Sequence, residues 1–154
     1  FMFKLRVEYP DRDAERHIIR HNIRSVNLNS ITPAVSAKDI IDAQQIIHDI
    51  YVDEKVEDYV LDLVSATRYP SKYKLEDLVG IIDFGVSPRA TINLIRAAKA
   101  RAFTENRGYI TPEDIRYIGA DVLRHRIILS YEAEAEELTS EDVIHRLFEV
   151  IEVP

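Results

Sequence analysis

Several groups of residues in this chain have types and spacing that suit chemistry, each a different kind. His17 and His21 are four apart, so a helix would set both imidazoles on one face, as in some divalent-metal sites. No glutamate follows the first histidine as His-Glu-x-x-His requires, and no third ligand is in view, so the pair reads as partly exposed polar residues. Glu132, Glu134, Glu136 and Glu137 could serve as paired carboxylates. Acid–base work needs burial that separates their proton affinities, and a charge run of this kind implies a solvated face. Gly80-Ile81-Ile82-Asp83-Phe84-Gly85 has the glycine spacing of a phosphate-cradling loop, but Val86-Ser87 stand where Lys and then Ser or Thr are required. Without that lysine there is no point charge for terminal phosphates. Nor does an apolar run ending in paired acids follow to hold magnesium.

The remaining candidate is Arg89, and its setting sharpens it. Gly85-Val86-Ser87-Pro88-Arg89-Ala90 reads as a loop feeding a helix that continues through Thr91-Ile92-Asn93-Leu94-Ile95-Arg96-Ala97-Ala98-Lys99-Ala100-Arg101-Ala102. Ser87 is placed to cap free N–H groups and Pro88 suits the first helical position. At 100° per residue, Thr91, Leu94, Ile95, Ala98 and Ala102 form the inward stripe, with Arg89, Asn93 and Arg96 opposite. A cation in the first turn opposes the helix dipole by a few tenths of a kcal/mol to about 1. An outward charge in a mildly unfavourable place suggests a partner outside this chain.

The elements that must carry these residues are mostly helical. Only four glycines occur in 154 residues, and hydrophobic residues make up 46% and charged residues 31%, an ordinary soluble balance that supports one core. A net charge of −7 argues against nucleic acid and against an anionic membrane, so the basic-aromatic Lys72-Tyr73-Lys74 reads as a solvated loop. Without cysteine there is neither a disulfide framework nor a thiolate metal site. The spacing predicts a helix from Asp11 or Asp13 with Ala14 and Ile18 inward and Arg16, Arg20 and Arg24 outward, then a loop over 26–35. Ser36 with Asp39, Asp53, Thr111-Pro112-Glu113-Asp114 and Thr139 with Asp142 start the helices that follow. Ile40, Ala43, Ile47 and Ile50 line the first of these, and Val56, Tyr59, Val60, Leu63 and Val64 the next. Arg124-His125-Arg126 suits the negative end of the Thr111 helix. Phe1, Phe3, Leu5, Val7 and Tyr9 alternate with Met2, Lys4, Arg6 and Glu8, which predicts one half-buried strand ending at Pro10. The fold expected is all-α, a bundle of about six helices over 10–154 with an appended strand over 1–9.

Gly-x-Ser-Pro-Arg-Ala with its Leu-Ile-Arg-Ala-Ala-Lys-Ala helix resembles the sensor-2 motif of MoxR-type AAA+ ATPases, with Val86 where that family usually has Ala. Asp121-Val122-Leu123-Arg124-His125-Arg126 and Ser130-Tyr131-Glu132-Ala133-Glu134-Ala135-Glu136 also look like segments of that family, in the same order. The resemblance implies the C-terminal helical lid of such an ATPase, with residues 1–9 as the last strand of a core domain. Arg89 would reach the phosphates of ATP, with Ser87 and Pro88 positioning its turn. ATP and magnesium would be held by that core, so this chain alone would not be an enzyme. The resemblance further implies a cytoplasmic, homo-oligomeric ring that couples hydrolysis to domain motion as a chaperone maturing or assembling client proteins, with no nucleic-acid or membrane partner. A different class of reading is a non-ATPase helical protein–protein interaction module; it gives no reason for an arginine in a capped first turn.

Overall fold

Local cap chemistry sets where most helices begin. The structure, a computed structural model, describes residues 1–23 and 32–154. The helices are α1 (Arg12–Ile23), α2 (Ala37–Asp49), α3 (Glu54–Ala66), α4 (Pro88–Thr104), α5 (Pro112–Leu123), α6 (Tyr131–Ala135) and α7 (Ser140–Val150). Ser36 and Asp39 form a capping box on α2, Thr139 and Asp142 another on α7, and the Asp53 side chain accepts from Lys55 N–H at the start of α3. Two 3-10 turns, Pro70–Tyr73 and Glu76–Leu78, fill the stretch between α3 and β1 (Ile82–Phe84). That strand pairs antiparallel with β2 (Ile128–Leu129). The expected all-α bundle is therefore present, with a two-stranded ribbon added; the sequence of Ile127–Tyr131 allows either a helix tail or a short extended piece, and residues 128–129 take the extended form. Strands of three and two residues are too short to show an alternating pattern.

The core lies among α3, α4, α5 and α7. Tyr59, Val60, Leu63 and Val64 meet Ala90, Leu94, Ala97 and Ala98 of α4, Ile115, Ile118 and Val122 of α5, and Val143, Ile144 and Leu147 of α7. Each buried branched side chain of this size contributes roughly 1.5–3 kcal/mol. Small residues on α4 permit the close approach of α5. Gly119 of α5 serves the same end toward α7: a Cβ there would lie 2.4 Å from Cζ of Phe148. The inward face of α4 is turned from the expected stripe toward Ala90 and Ala97. Asn93, expected outside, is 8% exposed, whereas Ile92 is 52% exposed.

The first half of the chain departs from expectation more. Residues 1–9 form no strand: Phe1, Phe3, Leu5, Val7 and Tyr9 are all exposed, and Met2 is the residue that packs on the core. The physical reason is the lack of a strand to pair with. Lys4 N–H instead donates to the carbonyl of Asp121 near the end of α5, and Ile128–Leu129 is occupied by β1. Ala14 and Ile18, expected inward, are exposed, and α1 buries no residue. In α2 Ala43 and Ile47 are half-buried and Ile40 is exposed, while Ile50 beyond its end reaches the core. Arg24 and most of the expected 26–35 loop lie outside the described residues.

A buried ion cluster joins α4 to α5. Asp114, 1% exposed, accepts from Arg107 Nη1 at 2.9 Å and Nη2 at 2.6 Å, from Arg101 Nε at 3.1 Å and from Thr111 N–H at 2.9 Å. The Arg101 guanidinium also stacks 3.4 Å from the Tyr117 ring centre. Burial would raise the Asp114 pKa, but the Arg107 hydrogen bonds, the Thr111 N–H and the Arg107 charge outweigh it and hold the carboxyl below its usual range. Asp114 therefore contributes stability above its unfolded pKa, and that contribution is lost as pH falls through the depressed folded value. Asp114→Ala should cost about 3 kcal/mol at neutral pH in denaturant unfolding, near the low end for a broken buried pair because both arginines can rehydrate. The unaltered chain should lose stability on acidification below about pH 4, and Asp114→Ala should show a shallower loss over that range.

Candidate functional site

The loop that leads into Arg89 is fixed from the end of α3. The loop from Gly85 to Ser87 lies against the end of α3. Thr67, fully buried, accepts from Val86 N–H at 3.1 Å and donates to the Val64 carbonyl at 2.7 Å. Arg68 Nε donates to the Val86 carbonyl at 2.7 Å. Both backbone polar groups of Val86 are thus satisfied, and its side chain is 1% exposed. Gly85 has no room for a side chain: a Cβ would stand 2.4 Å from the Thr67 carbonyl oxygen. Gly80, with φ of 85°, makes the turn before β1. The Gly80–Gly85 spacing thus follows from a left-handed turn and a close backbone approach, two separate local demands.

Ser87 has the extended conformation of an N-cap, and Pro88 occupies the first helical position. The expected side-chain cap from Ser87 is not made. Ala90 N–H, one of the groups it would serve, bonds to the Ser87 carbonyl at 2.8 Å, and the loop is held from α3 instead. Thr67 and Arg68 are the residues that sequence reasoning missed. They stand 19 and 18 positions from Val86, beyond the reach of any local pattern.

Arg89 is exposed at the start of α4, turned away from Leu94 and Ala98, which are buried. Among the described residues no carboxylate lies within ion-pair distance of it. Among the described residues, the other six helices carry Asp or Glu in the first turn, and α4 carries none. The positive end of α4 is therefore left uncompensated and has a guanidinium added to it. A planar fork of donors in such a place suits phosphate or carboxylate oxygens.

Comparisons with known proteins give the family. Residues 80–147 match the AAA lid domain family. Chaperone MoxR1 of Mycobacterium tuberculosis is 36% identical over 155 aligned positions that span 100% of this chain. The chain belongs to the MoxR-type AAA+ ATPases as a helical lid. Protein MoxR of Paracoccus denitrificans is 41% identical over 102 residues, covering 62% of the chain and 30% of that protein. A solved structure of a candidate ATPase from Cytophaga hutchinsonii superposes with a TM-score of 0.95 at 38% identity, over 100% of this chain. This MoxR-type lid spans 40% of the Mycobacterium protein and 47% of the Cytophaga one.

The other candidate residues do not assemble into a site. His17 and His21 stack edge-to-face at 5.9 Å on exposed α1. Among the described residues no three metal-type ligands cluster, and no helix is long and apolar enough to cross a membrane. Glu132, Glu134, Glu136 and Glu137 are all exposed. Lys72 lies over the ring of its neighbour Tyr69.

Two substitutions separate the support of the loop from the residue it presents. Thr67→Val should leave the buried Val86 N–H without an acceptor and cost about 1–3 kcal/mol in denaturant unfolding. Arg89→Ala, touching no internal partner, should change stability by less than about 0.5 kcal/mol.

Proposed function

We propose that this lid presents Arg89 as a sensor-2 arginine to the phosphates of ATP held by a core domain of the same parent protein. The observation that carries the reading is an exposed, uncompensated guanidinium in the first turn of a helix whose entry loop is immobilised by buried hydrogen bonds. Flexible surface arginines are common; one whose backbone is fixed by Thr67, Arg68 and a side-chain-free Gly85 is built to be found in one place. Ser87 and Pro88 set the entry into α4, and the five N–H donors of Arg89 match equatorial phosphate oxygens. Bound ATP with magnesium supplies the phosphoryl group, and the magnesium ligands belong to the core. What Arg89 adds is positive charge brought by an element that can move, worth orders of magnitude in rate in phosphoryl transfer.

Closure of the lid over the nucleotide couples phosphate occupancy to rotation between domains, a hinge-type transition. In a homo-oligomeric ring that motion would drive chaperone work on client proteins, in keeping with the name of the Mycobacterium relative. Residues 1–9 would be the last strand of the core, whose neighbours supply the pairing their alternation calls for. The exposed Leu5, Val7, Ile18, Ile19, Ile40 and Ile41 then face the core rather than water.

The test is ATP turnover by a full-length MoxR-type protein carrying this lid. Arg89→Ala should lower kcat by at least tenfold, and Arg89→Lys should restore little of it, because an ammonium lacks the planar fork. Arg96, two turns further along α4, should matter far less. Turnover indifferent to loss of Arg89 would refute the assignment and favour the interaction-module reading. The chain without its core should not hydrolyse Mg-ATP, since Val86-Ser87 replace the phosphate-binding lysine and its neighbour.

A further inference from the structure

Arg124-His125-Arg126 follows α5, where its charges suit the helix terminus. Its hydrogen bonds extend well beyond that role. Arg126 Nε donates to the Val122 carbonyl at 2.8 Å, which seats the guanidinium on α5, and Nη2 reaches the carbonyls of Phe1 and Met2. Arg124 is seated by two carboxylates, Asp121 at 2.5 Å and Glu141 at 2.8 Å, and its Nη1 donates to the Lys4 carbonyl at 2.5 Å. Lys4 N–H closes the arrangement by donating to the Asp121 carbonyl at 2.9 Å. Both ring nitrogens of His125 are shut off from solvent without a hydrogen-bond partner. Burial, with the Arg126 charge adding to it, pushes that imidazole below its usual pKa.

We propose that Arg124 and Arg126 form a latch that fastens the extended segment Phe1–Lys4 to the end of α5, so that the position of this segment is passed to α4. Both guanidinium forks are oriented by groups of the helical body before the segment docks, so docking orders the segment and little else. The grip falls on main-chain carbonyls, so it holds the path of the chain whatever side chains the segment bears. From α5 the connection continues through Asp114 to Arg101 of α4, the helix that carries Arg89 at its other end. Only this last step, to the nucleotide, rests on the function proposed above.

Amide exchange followed by NMR on this chain tests the latch. The Lys4 amide should be protected, and Arg126→Ala should speed its exchange at least tenfold while the Leu63 and Val64 amides of α3 keep their protection. Arg126→Lys should recover only part, since one ammonium cannot hold Val122 and both segment carbonyls together. Exchange at Lys4 as fast as in an unstructured peptide, or unchanged by Arg126→Ala, would overturn the latch. In the full-length protein, Arg126→Ala should lower kcat for ATP severalfold with KM changed less than twofold; unchanged kcat would overturn the link to α4. If Arg89→Ala also leaves turnover intact, the nucleotide reading has failed, and the exchange result still decides the latch.

Discussion

The Asp114 carboxylate is the interaction on which the placement of α4 depends. A buried charge is tolerated only when paired and hydrogen-bonded, and here two arginines and the Thr111 backbone meet that demand. The inward face of α4 is mostly alanine, which permits close packing but offers few side-chain ridges to set the register against α5. The ion cluster supplies the missing register. Arg101 comes from α4, Arg107 from the turn and Asp114 from the first turn of α5, so sliding either helix would separate charges that cannot be left alone in the interior.

At the opposite end of α4 the same helix is held without a carboxylate. A threonine hydroxyl, the Arg68 guanidinium on the Val86 carbonyl and a glycine without room for a side chain fix Gly85–Ser87, and none of them brings a negative charge to pair with Arg89. The division is physically sensible. An acidic cap at this end would lower the helix energy by a few tenths of a kcal/mol and would also neutralise Arg89. Among the helices of the described residues, α4 alone forgoes that local gain.

Helix starts were legible in the sequence because caps act over three or four residues: Ser36 with Asp39, Asp53, and Thr139 with Asp142 act where their spacing places them. The exposed Arg89 turn was legible from Pro88 at the first helical position, although the Ser87 side-chain cap is not made. The rotation of α4 was not, because Ile92 and Ile95 outweigh alanines in any apolar count, although Ala90 and Ala97 are the residues buried. Alternation over 1–9 describes an extended chain but cannot supply the neighbour a strand requires. The contacts made by Thr67 with Val86 and by Arg126 with Phe1 join positions 19 and 125 apart, and no periodicity encodes them. Of Asp114, its place in the first turn was readable and its burial was not.

Neither α1 nor α2 buries a single residue, whereas α3, α4, α5 and α7 share one continuous core. The two halves therefore differ in thermodynamic character as well as in shape. Unfolding from α3 onward exposes a large apolar area at once and carries almost all of the heat-capacity change. Melting of α1 exposes almost nothing new to water, so it opens as a separate, low-energy unit and adds little to the denaturant slope. The chain is a cooperative helical body with α1 as a separate unit, and calorimetry would register the body alone.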